Sequence, residues 1–186
     1  MSSSVGEGLV TIGQDLQPNP MIATSWDVSE DFLEWTWKIR DDVEFHKGYG
    51  KMTTEDVIYS MRGFYEGAKL ARAGILGDYY GFNDTGNSSH EIIDDYTYVV
   101  KNTKPWVPAT VNEFSRNAAG VSVWMVSKKQ SEELGIEAAS TDIASTGPWE
   151  VVGHESGSYW KFKAVEDHWR QTPYFAELMY WSIPEE

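Results

Sequence analysis

Residues 21–65 read MIATSWDVSEDFLEWTWKIRDDVEFHKGYGKMTTEDVIYSMRGFY, and the order of signals in this stretch decides the fold. An A-x-S-W turn at Ala23–Trp26 leads into an acidic loop. A segment from Glu34 to Arg40 then alternates: Trp35, Trp37 and Ile39 share one face, and Thr36, Lys38 and Arg40 share the other. Strict alternation is the mark of a half-buried strand, because successive side chains of a strand point to opposite faces. R-D-x-V-x-F-H-x-G follows at Arg40–Gly48, and T-x-E-D-V at Thr53–Val57. Thr53 or Thr54 is a helix cap, with Glu55 and Asp56 in the first turn, where negative charge suits the helix dipole. Val57, Ile58, Met61, Phe64 and Tyr65 recur at helical spacing.

A second informative stretch lies downstream. Ser145-Thr146-Gly147-Pro148-Trp149 enters a strand over Trp149–His154. Glu155–Ser158 makes a hairpin turn, and Trp160, Phe162 and Ala164 alternate with Lys161 and Lys163 on the return. Val165-Glu166-Asp167-His168-Trp169 comes next, and Leu178–Ile183 reads as a last strand. Gly147 allows close backbone approach, and Pro148 sets the strand entry.

These two stretches resemble, in order and spacing, the family 5 extracellular solute-binding proteins, the peptide- and nickel-binding subunits of ABC importers. The resemblance covers residues 20–183. Two positions depart from it: Ser145 stands where the family usually has Gly, and Val165 where it usually has Asn. The resemblance implies an α+β fold, mostly antiparallel sheets with two or three helices, forming part of the first lobe of a two-lobed binding protein. It implies an N-terminal segment over residues 1–19, a small subdomain over 20–145 and a partial main-sheet segment over 146–186. A second lobe is expected after Glu186. It further implies capture of a small solute or oligopeptide, delivery to the membrane permease of an ABC importer, and a periplasmic or extracellular location, with a lipoprotein anchor in the parent.

Composition agrees with a folded, globular protein. The chain has 186 residues, 41% of them hydrophobic and 14% aromatic, including nine tryptophans. That is enough for a real core. A net charge of −14 argues against nucleic acid or an anionic membrane as partner. With no cysteine there are no disulfides and no cysteine-based zinc sites. No apolar run reaches the ~18 residues of a membrane span. MSSSVGEGL has neither the basic nor the apolar region of a signal peptide, so the chain is expected to be an excised piece whose exported parent carries its signal upstream. Residues 1–8, small and polar, are expected to be loose.

The rest of the chain reads less clearly. Leu9–Leu16 is a short strand and Gln17–Pro20 a loop. Gly74–Ser89, rich in glycine and asparagine, reads as a long loop, or as a short helix followed by one. Asp94-Asp95 turns into a strand over Tyr96–Lys101. Ala109–Ser115 is a short helix and Val121–Val126 a strand. Ser127 and Gln130 form a capping box before a helix that stops at Gly135.

Chemistry-bearing motifs are few. There is no nucleophile elbow, no phosphate loop and no histidine pair at metal spacing; no cofactor and no metal is expected, and no enzymatic activity. His46 is expected to tie its loop by hydrogen bonds. The carboxylates Asp27, Glu30, Asp31, Asp41 and Asp42 read as a solvated face. Tyr79, Tyr80, Trp106 and Trp124 lie in or beside irregular segments, and aromatic rings there either fill a tryptophan-rich core or line a ligand cleft. Arg116 and Asn117 are either surface residues or donors to a ligand carboxylate. These six are the candidate ligand contacts, on position alone. The alternative function is a carbohydrate-active domain, with indoles stacking on sugar and carboxylates cleaving it. The last three strands are expected to leave edges or apolar faces open, and the chain therefore to self-associate through residues 146–186 or to leave that part poorly packed against residues 20–145.

Overall fold

The computed structural model describes residues 2–67, 77, 79–80, 82, 89–108, 110 and 123–183. They divide into two compact units. One is built from Gly8–Asp41 and Thr53–Met125, the other from Met1–Glu7, Asp42–Met52 and Val126–Glu186.

The first of these units is organised around the tryptophan strand. Strands β1 (Val10–Ile12) and β2 (Pro18–Pro20) form a hairpin. Strands β3 (Ala23–Val28) and β4 (Glu34–Ile39) enter an antiparallel sheet. Its remaining strands lie further along the chain and give the order β3-β4-β8-β7, with β7 at Ser89–Asp94 and β8 at Thr97–Lys101. On β4, Trp35, Trp37 and Ile39 are buried while Glu34 and Lys38 are exposed. Trp37 sits opposite Trp26 on one neighbour and Tyr98 on the other, and Trp35 opposite Val100. The indoles of Trp35 and Trp37 stack at 5.9 Å, inclined by 14°. Helix α2 (Thr54–Gly67) adds Val57 and Met61, both fully buried. Its start is fixed twice. Asp56 accepts from the Thr53 N–H and hydroxyl at 3.0 and 3.2 Å, and Thr54 donates to the carbonyls of Asp94 and Asp95 in the β7–β8 turn.

Two strands here differ from the sequence reading. Pro18–Pro20 is a strand because it lies on an edge, where proline's missing N–H is tolerated, and the chain reverses through Gly13–Gln17 with Leu16 at φ 61°. Ser89–Asp94 is also an edge strand. Its adjacent Ile92 and Ile93 are both exposed, so no alternation announces it.

The other unit contains the meander β9 (Trp149–Glu155), β10 (Tyr159–Ala164) and β11 (Glu177–Trp181). One sheet face packs Val151 and Phe162 against Val5 and Ile143, with Val126, Trp149, Trp160 and Leu178 around them. The N-terminus is thus built in rather than loose: Val5 and Glu7 are buried, after a helical turn α1 (Ser2–Val5). A short hairpin, β5 (Glu44–Phe45) and β6 (Gly50–Lys51), flanks the tight turn His46–Gly48. Helices α3 (Lys128–Leu134) and α4 (Ile136–Thr141) share Gly135 as the cap between them. Ser127 caps α3 through the Gln130 N–H at 3.1 Å. The reciprocal half of the expected capping box is not made. The buried Gln130 amide instead donates to the Asp142 carbonyl and accepts from the Ala144 N–H.

The family-like motifs meet in this unit. The Gly147 N–H donates to the Val5 carbonyl at 2.8 Å, and a Cβ added at Gly147 would fall 2.4 Å from that oxygen, so only glycine allows the approach. His46 Nε2 donates to the Gly147 carbonyl at 2.7 Å. Thr146 O accepts from His168 Nε2 at 2.9 Å and from the Trp169 indole at 3.1 Å. Over Val121–Val126, Val121 and Ser122 lie outside the described residues. Val123 and Met125 are buried as the alternation predicts, and among the described residues the pairing there is a single bridge, Val126 to Ser145. The expected helix at Ala109–Ser115, apart from Thr110, lies outside the described residues.

Candidate functional site

Three backbone segments of the β3-β4-β8-β7 unit converge at one end of β4. The β3–β4 loop is shaped by Asp31, whose Oδ1 accepts from the Ser29 hydroxyl at 2.6 Å and the Leu33 N–H at 3.1 Å. These bonds, the Ser29 hydroxyl first, hold the Asp31 carboxyl below its ordinary range. The turn puts Phe32 at φ 58° and leaves the residue 37% exposed. Past β8, the Asn102 N–H donates to Leu33 O at 2.7 Å, Thr103 N–H to Tyr79 O at 3.0 Å, and Trp106 N–H to Phe32 O at 3.4 Å.

The result is an aromatic pair. The Tyr79 and Trp106 rings lie 4.4 Å apart, tilted by 40°, and both are half-buried. The Lys104 ammonium sits 5.7 Å from the Tyr79 ring centroid, within reach of a cation–π contact. Val107 is exposed beside them in sequence. Such a group offers apolar area for stacking and one positive charge.

Of the six candidates, the structure brings together Tyr79 and Trp106. Tyr80 belongs to the core: it is fully buried, and its carbonyl accepts from His90 Nε2 at 2.9 Å. Trp124 is half-buried between buried Val123 and Met125. Arg116 and Asn117 lie outside the described residues. Phe32 and Lys104 were not singled out by sequence. Their only signal was proximity, Lys104 two positions before Trp106 and Phe32 in the acidic loop. The carboxylates Asp27, Glu30, Asp31, Asp41 and Asp42 are exposed, and among the described residues no group of three acidic or imidazole side chains is placed to hold a metal ion.

The sheet order, the convergence of His46, Thr146–Gly147 and His168, and the tryptophan strand all fall within one region of similarity. The sequence model described as bacterial extracellular solute-binding proteins, family 5 middle, matches residues 17–186. The chain belongs to that family. Its family 5 relatives include the periplasmic oligopeptide-binding protein OppA of Haemophilus influenzae, 26% identical over an alignment 177 residues long that covers 88% of this chain and 31% of OppA. The di/tripeptide-binding protein 1 of Pseudomonas aeruginosa is 27% identical over an alignment 164 residues long that covers 81% of this chain and 30% of the relative. NikZ from Campylobacter jejuni, solved in complex with Ni(L-His), superposes with a TM-score of 0.78 at 26% identity, covering 97% of this chain and 34% of NikZ. DppA from Helicobacter pylori, solved with a peptide, gives a TM-score of 0.76 at 22% identity and shows the shared fold. The chain spans about a third of the length of these relatives.

Proposed function

We propose that this chain is part of the first lobe of a solute-capturing subunit of an ABC importer, and that the Tyr79–Trp106 pair contacts the solute. Family membership over residues 17–186 carries the reading. The unit with β9–β11 corresponds to part of the main first-lobe sheet, and the unit with β4 to the small subdomain. Peptides and nickel complexes are the ligand classes to consider, because relatives are named for peptides and NikZ was solved with Ni(L-His). The mechanism is capture between two lobes and delivery to a membrane permease, in the periplasm or outside the cell, with a lipoprotein anchor in the parent. Catalysis has no part in it.

Titration calorimetry tests this. Di-, tri- and oligopeptides and Ni(L-His) are titrated into the chain and into a longer polypeptide extended through a second lobe. The extended form should bind one class, and Tyr79→Ala and Trp106→Ala should weaken it by at least about tenfold, the loss of roughly 1.4 kcal/mol of aromatic contact. The chain alone should bind weakly. A turnover on glycosides or peptides, abolished by substituting one carboxylate between Asp27 and Asp42, would overturn the transport reading.

A further inference from the structure

The segment Ser145–Gly147 is held by two histidines from opposite ends of its unit. His46, in the turn after β5, donates from Nε2 to Gly147 O at 2.7 Å and accepts at Nδ1 from the Ser145 N–H at 3.4 Å. His168, after β10, donates from Nε2 to Thr146 O at 2.9 Å and accepts at Nδ1 from the N–H groups of Arg170 and Gln171, each at 3.3 Å. Both rings are buried. In each, one nitrogen faces a carbonyl and the other faces N–H donors. Only the neutral ring, protonated at Nε2, satisfies both sides.

We propose that His46 and His168 are an acid-released latch on the Ser145–Gly147 segment. A proton added to either ring goes to Nδ1, since Nε2 already carries one. There it points at backbone N–H groups, so an accepted hydrogen bond becomes a repulsive contact. The segment it frees is the entry to β9, tied on its other side to Val5.

The charges around the latch come from several elements. Glu150 on β9 favours a charged His46, whereas Lys47 and His168 oppose it. Burial opposes it most and holds the His46 pKa below the ordinary histidine value. Lys47 is itself paired with Asp142 after α4. Glu7, after α1, has Oε2 3.8 Å from His168 Nε2. The Arg170 guanidinium is committed to Glu7 Oε1 at 3.0 and 2.7 Å and supplies positive charge near the same ring. This device is independent of which solute the parent carries.

Amide exchange and ring-nitrogen NMR on the chain, from about pH 7.5 to about pH 5, test the latch. At the upper pH both rings should show protonated Nε2 and acceptor Nδ1. Below about pH 6.5 the opening constant of the Ser145 and Gly147 amides should rise about tenfold per pH unit for one proton taken up, and more steeply for two. His46→Gln keeps a donor for Gly147 O without a titrating group and should remove one proton from that slope; His168→Gln should remove the other. A flat wild-type profile, Nδ1 protonated at neutral pH, or an unchanged slope in the double variant would overturn the proposal. Should a variant not fold, the ring-nitrogen and exchange profiles of the wild type decide it alone.

Discussion

His46 Nε2 donates to the carbonyl oxygen of Gly147, 101 positions downstream, at 2.7 Å and in a buried site. The bond joins the F-H-x-G turn to the T-G-P-W strand entry, so two motifs that look separate in sequence are one structural device. His46→Ala leaves a buried carbonyl short of its partner and should cost about 1–3 kcal/mol. Denaturant unfolding followed by tryptophan fluorescence measures this; a midpoint equal to wild type would mean that the bond contributes nothing.

Gly147 should tolerate no side chain. Its added Cβ meets backbone, the Val5 carbonyl oxygen and carbon at 2.4 and 2.6 Å, rather than a flexible side-chain end. Relief requires the N-terminal turn to move off the Val5–Ile143–Val151–Phe162 cluster. Gly147→Ala should therefore lower stability by about 1–3 kcal/mol, the range for overpacking. A melting temperature unchanged by the substitution would show that the N-terminus yields freely.

Trp37 is the largest fully buried side chain of its unit, with Trp26 and Tyr98 as cross-strand neighbours. Trp37→Ala should cost about 3–5 kcal/mol through lost transfer energy and the cavity left behind. Thr36→Ala, one position away on the other face, should cost far less. Equal losses at the two positions would reject the register of β4.

His90 predicts an acid response in the β4 unit. Burial, first, and Arg62 lower its pKa, and the bond to Tyr80 O works in the opposite direction. The unfolded chain thus takes up the proton at higher pH than the folded one. Stability is full above the ordinary histidine value of ~6.5 and falls as pH drops through it toward the folded value, by up to about 1.4 kcal/mol per pH unit. Unfolding midpoints measured between neutral and mildly acid pH should fall for wild type and fall less for His90→Gln. Parallel profiles would remove His90 from the account.

What the sequence reveals follows from what each element buries. Trp35, Trp37 and Ile39 announce β4 because one face is fully covered and the other wet, which writes period two into the chain. Ser127 and Gly135 announce α3 because caps are local. Helix α4 is hidden, since Gly135 reads as a stop and in fact serves both helices. The edge strands at Pro18–Pro20 and Ser89–Asp94 carry no alternation, because neither has a strictly buried face. At the candidate site, the separate aromatics were legible but their pairing was not. Tyr79 and Trp106 meet through backbone bonds, Thr103 to Tyr79 and Trp106 to Phe32, that no side-chain pattern encodes. Tyr80, adjacent to Tyr79, points into the core for the same reason: the local backbone, not the residue type, sets the direction.

The sheet β11-β10-β9 leaves apolar side chains in solvent on and beside its edge strand β11. Tyr174 is 92% exposed, Phe175 75%, Trp181 62% and Ile183 85%. Tyr159, the cross-strand partner of Trp181, packs against it with ring centroids 5.5 Å apart and the planes tilted by 50°. Elsewhere the same face is laced with ion pairs, Lys161 to Glu177 at 2.8 Å and Lys163 to Glu150 at 3.5 Å, which do not seek an apolar cover. The sticky surface is therefore local: one strand edge and the aromatics flanking it. Edges and patches of this kind associate, against the repulsion of a net charge of −14. Salt screens that repulsion, so self-association should grow with ionic strength as well as with concentration. Phe175→Ser with Trp181→Ser should suppress it, and Trp26→Ser, on the other unit, should not. Light scattering across a concentration and salt series reads the mass directly. A chain monomeric throughout, with the two serine variants indistinguishable from wild type, would show that the β11 edge is inert.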